Sequence, residues 1–279
     1  MIPNILSIAG SDPSGGAGVQ ADIKAISARG GYAMAALTAL TSQNTRGVRA
    51  VELVRPETVA AQIDAIRADI RIDAVKIGML GSAGIVEAVA AALAGLAAPV
   101  VLDPVMVAKG GDRLLASEAV SALRDRLLPM AFVVTPNLPE AADLLGEAEA
   151  TDPEAMAGQA QRLRSLGPEA VLIKGGHLGG GGSPDLLVDA GGARRFDGPR
   201  HATANTHGTG CSLSAALACE LGHGRPLAEA VARAKSWLSA AIAASGSLSV
   251  GHGHGPVHHF HAAEAFSAGR TGEGEVPQD

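Results

Sequence analysis

Aromatic side chains are scarce in this chain of 279 residues, where Phe, Tyr and Trp together make up 2%. Ring stacking therefore cannot be the main source of affinity for a ligand. An excess of positive charge is also missing, because 22 Lys and Arg stand against 28 Asp and Glu, for a net charge of −6. That balance excludes a broad cationic surface for nucleic acid or anionic lipid, so we expect neither partner.

Cysteine is limited to Cys211 and Cys219. Both lie in one predicted helix, where a rise of about 1.5 Å per residue separates their backbones by about 12 Å, too far for a disulfide. We therefore expect free thiols. Long apolar runs are missing as well, since none reaches the roughly 18 residues that a membrane span requires. Residues 1–16 carry no basic n-region, and the sequence predicts a cytoplasmic protein.

Short apolar runs alternate along the chain with longer amphipathic stretches. The predicted strand and helix pairs are 4–9 with 15–28, 74–77 with 82–96, 100–102 with 117–127, and 132–135 with 139–145. A helix at 153–166, a strand at 170–173, the only predicted hairpin at 185–196 and helices at 210–221 and 227–244 follow. This rhythm predicts an α/β fold whose mostly parallel sheet is covered by helices on both faces. In such sheets ligands bind beyond the carboxyl ends of the strands.

The composition does not shift enough along the sequence to favour two domains. We expect a single domain over residues 1–266. The polar tail, 267–279, is expected to be disordered.

The first candidate site is a glycine-rich turn, Gly-Ser-Asp-Pro-Ser-Gly-Gly-Ala-Gly at 10–18. Its glycines permit backbone amides to approach a ligand closely. The G-x-G-x-x-G spacing of a dinucleotide fingerprint is not met, so support for NAD is weak, and the absence of Gly-Lys-Ser/Thr excludes a P-loop. A tight turn capped by Ser14 is the alternative.

The second candidate site, Asn-Thr-His-Gly-Thr-Gly-Cys at 205–211, opens an Ala-rich helix. Unpaired amides and the helix dipole make such a start an anion site. A pocket built from backbone suits a phosphoryl group whose charge spreads over three oxygens in the transition state. Phosphoryl transfer is therefore the leading chemistry, and a simple helix cap by Thr209 is the alternative.

Cys211 falls in the first turn of that helix. Dipole and amides there favour the thiolate, so we expect a pKa below the usual value of about 8.5 and a possible proton acceptor. A positioned base typically contributes about 10²–10⁴ in rate. A buried structural cysteine is the alternative, and it is the interpretation adopted for Cys219.

Four polar residues follow predicted strands: Asp103, Asn137, Glu140 and Lys174. Two carboxylates and an amide suit Mg²⁺, held directly or through water. Lys174 could then meet a nucleotide phosphate. Each residue alone is more often a helix cap or a solvated loop charge, but their shared location favours a site.

Six motifs occur together in one order: the turn at 10–18, Thr-Ser-Gln-Asn-Thr at 41–45, Lys-Ile-Gly-Met-Leu at 76–80, Thr-Pro-Asn-Leu-Pro-Glu at 135–140, Lys-Gly-Gly-His at 174–177 and Thr-His-Gly-Thr-Gly-Cys at 206–211. Over about residues 5–260 the chain resembles the hydroxymethylpyrimidine/phosphomethylpyrimidine kinases of thiamine biosynthesis. These kinases belong to the ribokinase-like superfamily.

The resemblance implies a ribokinase-like three-layer αβα fold, ATP and Mg²⁺, and a homodimer. It also implies two successive phosphorylations, of 4-amino-5-hydroxymethyl-2-methylpyrimidine and then of its monophosphate. By motif position, the implied residues are Gly10, Asp22, Gln43, Met79 and Val105 around the pyrimidine, Gly208, Thr209 and Gly210 as anion hole, Cys211 where the superfamily usually has an Asp base, Lys174, Asn137 and Thr206 toward the nucleotide, and Asp103 and Glu140 toward the metal.

The chemistry of the side chains supports the role implied for Gln43 and leaves an alternative role open for Met79, Val105 and Cys211. The Gln43 amide offers both a donor and an acceptor to an aminopyrimidine edge. Met79 and Val105 would supply apolar walls, although core packing explains them equally. Whether Cys211 removes a proton or positions the hydroxymethyl group stays open.

Other functions remain alternatives at this point. A pyridoxine or pyridoxal kinase also acts on a hydroxymethyl group of a nitrogen heterocycle. A nucleotide- or vitamin-binding protein without turnover would explain the missing Asp, and an NAD-linked oxidoreductase rests only on the first turn. The histidines between 252 and 261 lack a ligand pattern, so we expect no metal there. Residues 179–182 are a flexible approach to the hairpin or a flap over the substrate.

Overall fold

A computed structural model describes residues 1–106, 117–176, 178 and 182–263 of the chain. The strands are β1 (Asn4–Ala9), β2 (Tyr32–Leu37), β3 (Ala39–Asn44), β4 (Gly47–Leu53), β5 (Ala74–Ile77), β6 (Val100–Leu102), β7 (Val133–Val134), β8 (Ala170–Lys174), β9 (Asp185–Asp189) and β10 (Gly192–Phe196). The α-helices are α1 (Gly18–Ala28), α2 (Pro56–Asp69), α3 (Ala83–Leu93), α4 (Ser117–Ala122), α5 (Leu138–Leu145), α6 (Pro153–Arg164), α7 (Thr209–Gly222) and α8 (Leu227–Ala243). A π-helical turn, Leu123–Leu127, and 3-10 turns, Leu128–Met130 and Ala244–Ser247, complete the described elements.

Eight strands form one sheet in the order β10-β9-β8-β7-β6-β5-β1-β2. The six strands from β8 to β2 run parallel, and β9 and β10 add an antiparallel edge. The prediction of a central, mostly parallel sheet is confirmed. Because the parallel strands end at one edge, the loops that follow them are brought together there.

Each face of the sheet is covered by helices, which gives the three layers. In β1, Leu6 and Ile8 join the core cluster packed under α2 to α6, whereas Ile5 joins the cluster under α1, α7 and α8. This alternation has the period of two that a strand imposes. Ser7 and Lys76 are direct partners in the β1–β5 register. By the same alternation they lie on the face covered by α1 and α7.

Residues 32–69 contain three strands and a helix that the sequence pattern did not predict. Two of these strands, β3 and β4, form a second hairpin with a bulge between Ser42 and Gln43. The expectation that 185–196 is the only hairpin is therefore wrong. Most of β4 is exposed, so its sequence lacks the apolar alternation that marks a half-buried strand.

Helix starts differ slightly from the predicted ones. The helix predicted from residue 15 begins at Gly18, and its capping residue is Ala17, without a side-chain cap. Ser14 is hydrogen-bonded to Asp12 instead, so the alternative of a helix cap by Ser14 is wrong.

No helix among the described residues is long and apolar enough to cross a bilayer. The tail predicted at 267–279, and residues 179–181 of the predicted flap, lie outside the described residues.

Candidate active site

The start of α7 presents backbone amides without partners. Gly208 occupies the capping position with a left-handed φ of 75°, and no side chain caps the helix. The simple cap by Thr209 is therefore wrong. Within the described residues the NH groups of Gly208, Gly210 and Cys211 form no hydrogen bond, and that of Thr209 has only a long bond of 3.4 Å to Thr206 O. This is the arrangement that binds anions at a helix start.

The glycine-rich turn lies directly against this helix start. A β-carbon added at Gly208 would overlap the carbonyl oxygen of Gly16. Asp12 joins the two segments, since its Oδ2 accepts from Ala17 N at 2.8 Å and lies 2.8 Å from His207 Nε2. Burial favours the neutral carboxyl, but the hydrogen bonds from His207 and Ser14 outweigh it and lower the pKa of Asp12. The turn and the helix start therefore form one unit.

Gln43 reaches this unit from the bulged strand β3. Its Nε2 lies 3.4 Å from His207 Nε2, and its Oε1 lies 3.4 Å from Thr41 Oγ1. Asp12 already takes the proton-bearing position of that ring nitrogen. The amide therefore fits better when it is turned so that its oxygen faces His207. Its NH₂ group then faces Thr41 Oγ1, which can accept from one of the two N–H bonds.

The polar residues predicted from strand ends form one charge cluster. Lys174 Nζ lies 2.9 Å from Asp103 Oδ1 and 3.6 Å from Glu140 Oε2. Burial opposes the charge of Lys174, but the two carboxylates outweigh it and raise the pKa of the amine. A β-carbon on Gly210 would lie 3.4 Å from Lys174 Nζ and 3.6 Å from Asp103 Oδ2. The cluster therefore adjoins the free amides of α7.

Asn137 and Glu140 also cap α5. Asn137 Oδ1 accepts from Glu140 N, and Glu140 Oε2 accepts from Asn137 N, both at 2.8 Å, which is a capping box. Burial raises the pKa of Glu140 to about 7, with Lys174 opposing the shift and Asp103 adding to it. The cap and the charge cluster thus share one carboxylate, so the two interpretations of these residues are compatible.

Cys211 does not behave as the helix start predicts. Burial raises the pKa of its thiol to about 11, although Lys76 and the Gly18 amide act in the opposite direction. The expected lowered pKa is wrong for the protein without ligands, because desolvation exceeds the effect of the helix start. Cys219 is fully buried in the core, as predicted, and both cysteines are free.

Two of the residues expected around a pyrimidine, Gly10 and Met79, approach one another at the ends of β1 and β5. A β-carbon on Gly10 would lie 3.2 Å from Met79 Sδ. Asp22, from the second turn of α1, is fully buried, and Val105, beyond β6, is half-buried. Thr206 contributes its carbonyl oxygen to the turn before α7. All the predicted site residues lie in the described part of the chain.

Sequence reasoning overlooked Lys76 and Ser214. Lys76 is fully buried in β5 and pairs with Asp22 at 2.8 Å. Ser214 Oγ donates to Asp103 Oδ2 at 3.2 Å. The signal for Lys76 was present, because a lysine within the apolar run Ala-Val-Lys-Ile is almost never fully buried without a partner. Ser214 had no such signal.

The charge cluster fits a hydrated divalent cation better than a bare one. Asp103 is already engaged by Lys174, Thr135 and Ser214, and Glu140 by its cap. When Glu140 is ionised, the two carboxylates against one ammonium leave one net negative charge. Mg²⁺ usually keeps several waters and binds through one or two carboxylates together with nucleotide phosphates. No group of three or more His, Cys, Asp or Glu within the described ranges is arranged to hold a metal alone.

Comparison with known proteins decides the family. The model of the family described as phosphomethylpyrimidine kinase matches residues 12–258. The chain belongs to this family. A hydroxymethylpyrimidine/phosphomethylpyrimidine kinase of Escherichia coli is 54% identical over 260 residues, which cover 93% of this chain and 98% of that protein. The kinase of the same name from Rhizobium meliloti is 53% identical, covering 92% and 96%. The resemblance drawn from the motifs is confirmed.

Solved structures place the family fold in a wider group of vitamin kinases. The ADP complex of Bacillus subtilis pyridoxal kinase superposes with a TM-score of 0.87 at 37% identity, covering 94% of this chain and 99% of that one. Phosphomethylpyrimidine kinase from Clostridium difficile superposes with a TM-score of 0.77 at 39% identity, covering 86% and 99%. This phosphomethylpyrimidine kinase family member is a phosphotransferase, and its ribokinase-like fold is confirmed.

Proposed function

We propose that this kinase transfers the terminal phosphoryl group of ATP to the hydroxymethyl group of 4-amino-5-hydroxymethyl-2-methylpyrimidine, and a second one to the resulting monophosphate. These reactions belong to thiamine biosynthesis. The observation that carries the proposal is the set of free amides at the start of α7, adjoining Lys174 and Asp103 through Gly210. The names of the relatives support the substrate.

In each step one bond breaks and one forms. The bond between the terminal phosphorus of ATP and its bridging oxygen breaks and leaves ADP, while the acceptor oxygen bonds to that phosphorus. The NH groups of Gly208, Thr209 and Gly210 receive the charge that develops on the phosphoryl oxygens. Lys174 adds a positive charge beside them.

Cys211 orients the hydroxymethyl oxygen and is not a thiolate before substrate binds, because burial keeps its pKa high. The alcohol proton leaves late, since a loose transition state needs little nucleophilic push, and it passes to an oxygen of the transferred phosphoryl group. The second step has a phosphate oxygen as acceptor and requires no such proton. One site can therefore serve both acceptors.

Asp103 and Glu140 would hold Mg²⁺, directly or through water, and Lys174, Asn137 and Thr206 would contact the nucleotide. When bound, the cation would neutralise negative charge on the ATP phosphates. Gln43 forms hydrogen bonds with the edge of the pyrimidine that carries the amino group. The rest of the pocket is formed by Gly10, Asp22, Met79 and Val105. The support for this pocket is the approach of Gly10 to Met79 and the position of Gln43 beside the anion site.

The remaining expectations stay predictions. They are a single domain over residues 1–266, a homodimer and a cytoplasmic location. Sedimentation of the purified protein at several concentrations would test the dimer, which should persist on dilution to micromolar protein.

The experiment that tests the substrate compares kcat/KM for hydroxymethylpyrimidine with kcat/KM for pyridoxal under the same ATP and Mg²⁺ conditions. We expect the pyrimidine to be preferred. A preference for pyridoxal of about tenfold or more, equivalent to about 1.4 kcal/mol of transition-state binding, would overturn the choice. The superposition on pyridoxal kinase makes this comparison the necessary one.

A further inference from the structure

Residues 251–259, which we call the His/Gly segment, lie against the start of α7 and are not used by the mechanism above. His207 N donates to Gly255 O at 3.0 Å, and His207 forms a parallel bridge with Pro256. A β-carbon on Gly16 would lie 3.3 Å from Cβ of Pro256. The segment therefore contacts both glycine-rich parts of the proposed anion site.

The second half of the His/Gly segment is anchored on two helices. His259 Nε2 lies 2.9 Å from Oγ of Ser212, in the first turn of α7, and both side chains are buried. His258 N donates to the carbonyl oxygen of Ala241, in α8, at 3.0 Å. The ring of Trp237, the only tryptophan of the chain, lies 6.2 Å from that of His259. This half is therefore fixed relative to the helix that begins the anion site.

The first half of the segment holds the tip of the β3–β4 hairpin. His254 N donates to Thr45 O at 2.9 Å, and Gly253 N donates to Thr45 Oγ1 at 3.1 Å. A β-carbon on Gly253 would overlap the carbonyl oxygen of Thr45. The φ of Gly253 is not in the left-handed region, so this close approach, and not the backbone conformation, requires a glycine there.

The position of the hairpin depends on such contacts. Strands β3 and β4 form a two-stranded sheet of their own, whose base is bonded to the first glycine-rich turn by Ser11 N and Ala39 O at 2.8 Å. An isolated two-stranded hairpin is only marginally stable in water, and a bulge disrupts its ladder further. The bulge lies between Ser42 and Gln43, close to Thr45 at the tip. The tip contact is therefore placed to determine where Gln43 lies.

We propose that Gly253 is a positioning residue for the pyrimidine. It lets the backbone of the His/Gly segment contact Thr45, and this contact holds the hairpin so that Gln43 stays beside His207 and the phosphoryl-binding amides. Gly253 touches no substrate and acts only through Gln43. This inference rests on the proposed function.

The contacts form a closed ring, which supports this role. The Gln43 amide lies 3.4 Å from His207 Nε2, and His207 N is bonded to Gly255, next but one to Gly253. The same segment thus holds both members of the Gln43–His207 contact. His207 is also held by Asp12, so a lost tip contact would release the Gln43 side of the ring and leave the anion site in place. We therefore expect weaker binding of the pyrimidine and unchanged binding of ATP.

The test replaces Gly253 by Ala and measures KM for hydroxymethylpyrimidine and for ATP. KM for the pyrimidine should rise about fivefold to tenfold, as for the loss of one hydrogen bond, with KM for ATP unchanged. When Gly253→Ala is added to Gln43→Leu, KM should rise by less than about twofold further, because the residue through which Gly253 acts is already missing. A general structural defect would multiply the two effects and raise KM for ATP as well.

Gly246→Ala is the matched control, because nothing lies within 4 Å of its β-carbon position, and it should keep both KM values. Wild-type fluorescence of Trp237 identifies a variant in which the second half of the segment stays docked. If Gly253→Ala does not fold, Thr45→Val keeps the shape of the side chain and removes the acceptor for Gly253 N. This variant should raise KM for the pyrimidine about twofold to threefold.

Two results would overturn the inference while the proposed function stands. One is a wild-type KM for the pyrimidine in folded Gly253→Ala or, where that variant does not fold, in Thr45→Val. The other is a pair of effects, from Gly253→Ala and Gln43→Leu, that multiply in the double variant. A wild-type enzyme that does not phosphorylate hydroxymethylpyrimidine would refute the proposed function and the inference together, before any variant is made.

Discussion

Gly208 and Gly16 meet through their backbones, at a distance that no side chain at position 208 allows. The contact presses the glycine-rich turn against the first turn of α7. Gly208 has a φ of 75° there, and the NH groups of Gly210 and Cys211 after it have no hydrogen-bond partner among the described residues. The two glycine-rich segments of the sequence therefore form one unit, and the proposed anion site belongs to it.

Gly208→Ala should lower kcat by about 100-fold or more. The substitution strains a left-handed residue by about 1–2 kcal/mol and pushes the new methyl group into the Gly16 carbonyl, which displaces the phosphoryl-binding amides. Steady-state kinetics and circular dichroism check the result. Gly246→Ala is the control, because nothing lies within 4 Å of its β-carbon position. Wild-type turnover in a folded Gly208→Ala would contradict the assignment.

The Cys211 thiol should titrate far above neutrality. Because burial raises its pKa to about 11, alkylation by iodoacetamide should be slow at pH 7 and accelerate about tenfold per pH unit through pH 9. Cys219→Ala should leave this profile intact, and Cys211→Ala should remove it. An inflection of the alkylation rate near pH 7 in the ligand-free protein would contradict this, and Cys211 could then act as a base at neutral pH.

Glu140 should make folding stability depend on pH. Its pKa is raised from 4.5 to about 7, so between these values the folded protein holds a proton that the unfolded chain releases. The free energy of unfolding therefore falls as pH rises through this window, by up to about 3 kcal/mol from this group.

Glu140→Gln should flatten that slope in urea unfolding at pH 5 and pH 7. The matched control is Glu149→Gln, at an exposed position after α5, which should retain the wild-type slope. An unchanged slope in Glu140→Gln would show that the carboxyl is ionised throughout.

Gln43→Leu should raise KM for the pyrimidine by about tenfold or more and leave KM for ATP unchanged. The leucine keeps the bulk of the side chain but removes both the donor and the acceptor beside His207. Isothermal titration with each ligand separates the two effects. An equal loss of affinity for pyrimidine and for ATP would indicate that Gln43 stabilises the structure of the site and does not contact the substrate specifically.

The sequence correctly predicted which polar residues lie together after the parallel strands. It did not predict properties that depend on burial, such as the pKa of Cys211. Asp103, Asn137, Glu140 and Lys174 follow parallel strands, so topology alone brings them together. The Cys211 thiol was placed correctly in its helix, but its pKa depends on how deeply neighbouring elements cover it. No local pattern reports that depth.

In the fold, too, some elements could be predicted from the sequence and others could not. The βα rhythm predicted the central sheet because buried parallel strands read as continuous apolar runs. The exposed hairpin β3–β4 has no such run, and the Ala-rich β2 is ambiguous between helix and strand. Gln43 was found through its motif, whereas the bulge that aims it at His207 is visible only in three dimensions.

The most direct test of the account follows the products by phosphorus NMR with ATP, Mg²⁺ and hydroxymethylpyrimidine. The account predicts a pyrimidine monophosphate that appears first and is then converted to the diphosphate, with one ADP formed at each step. ATP that is hydrolysed without a phosphorylated pyrimidine, or a pyrimidine that stays unmodified while ATP persists, would contradict it.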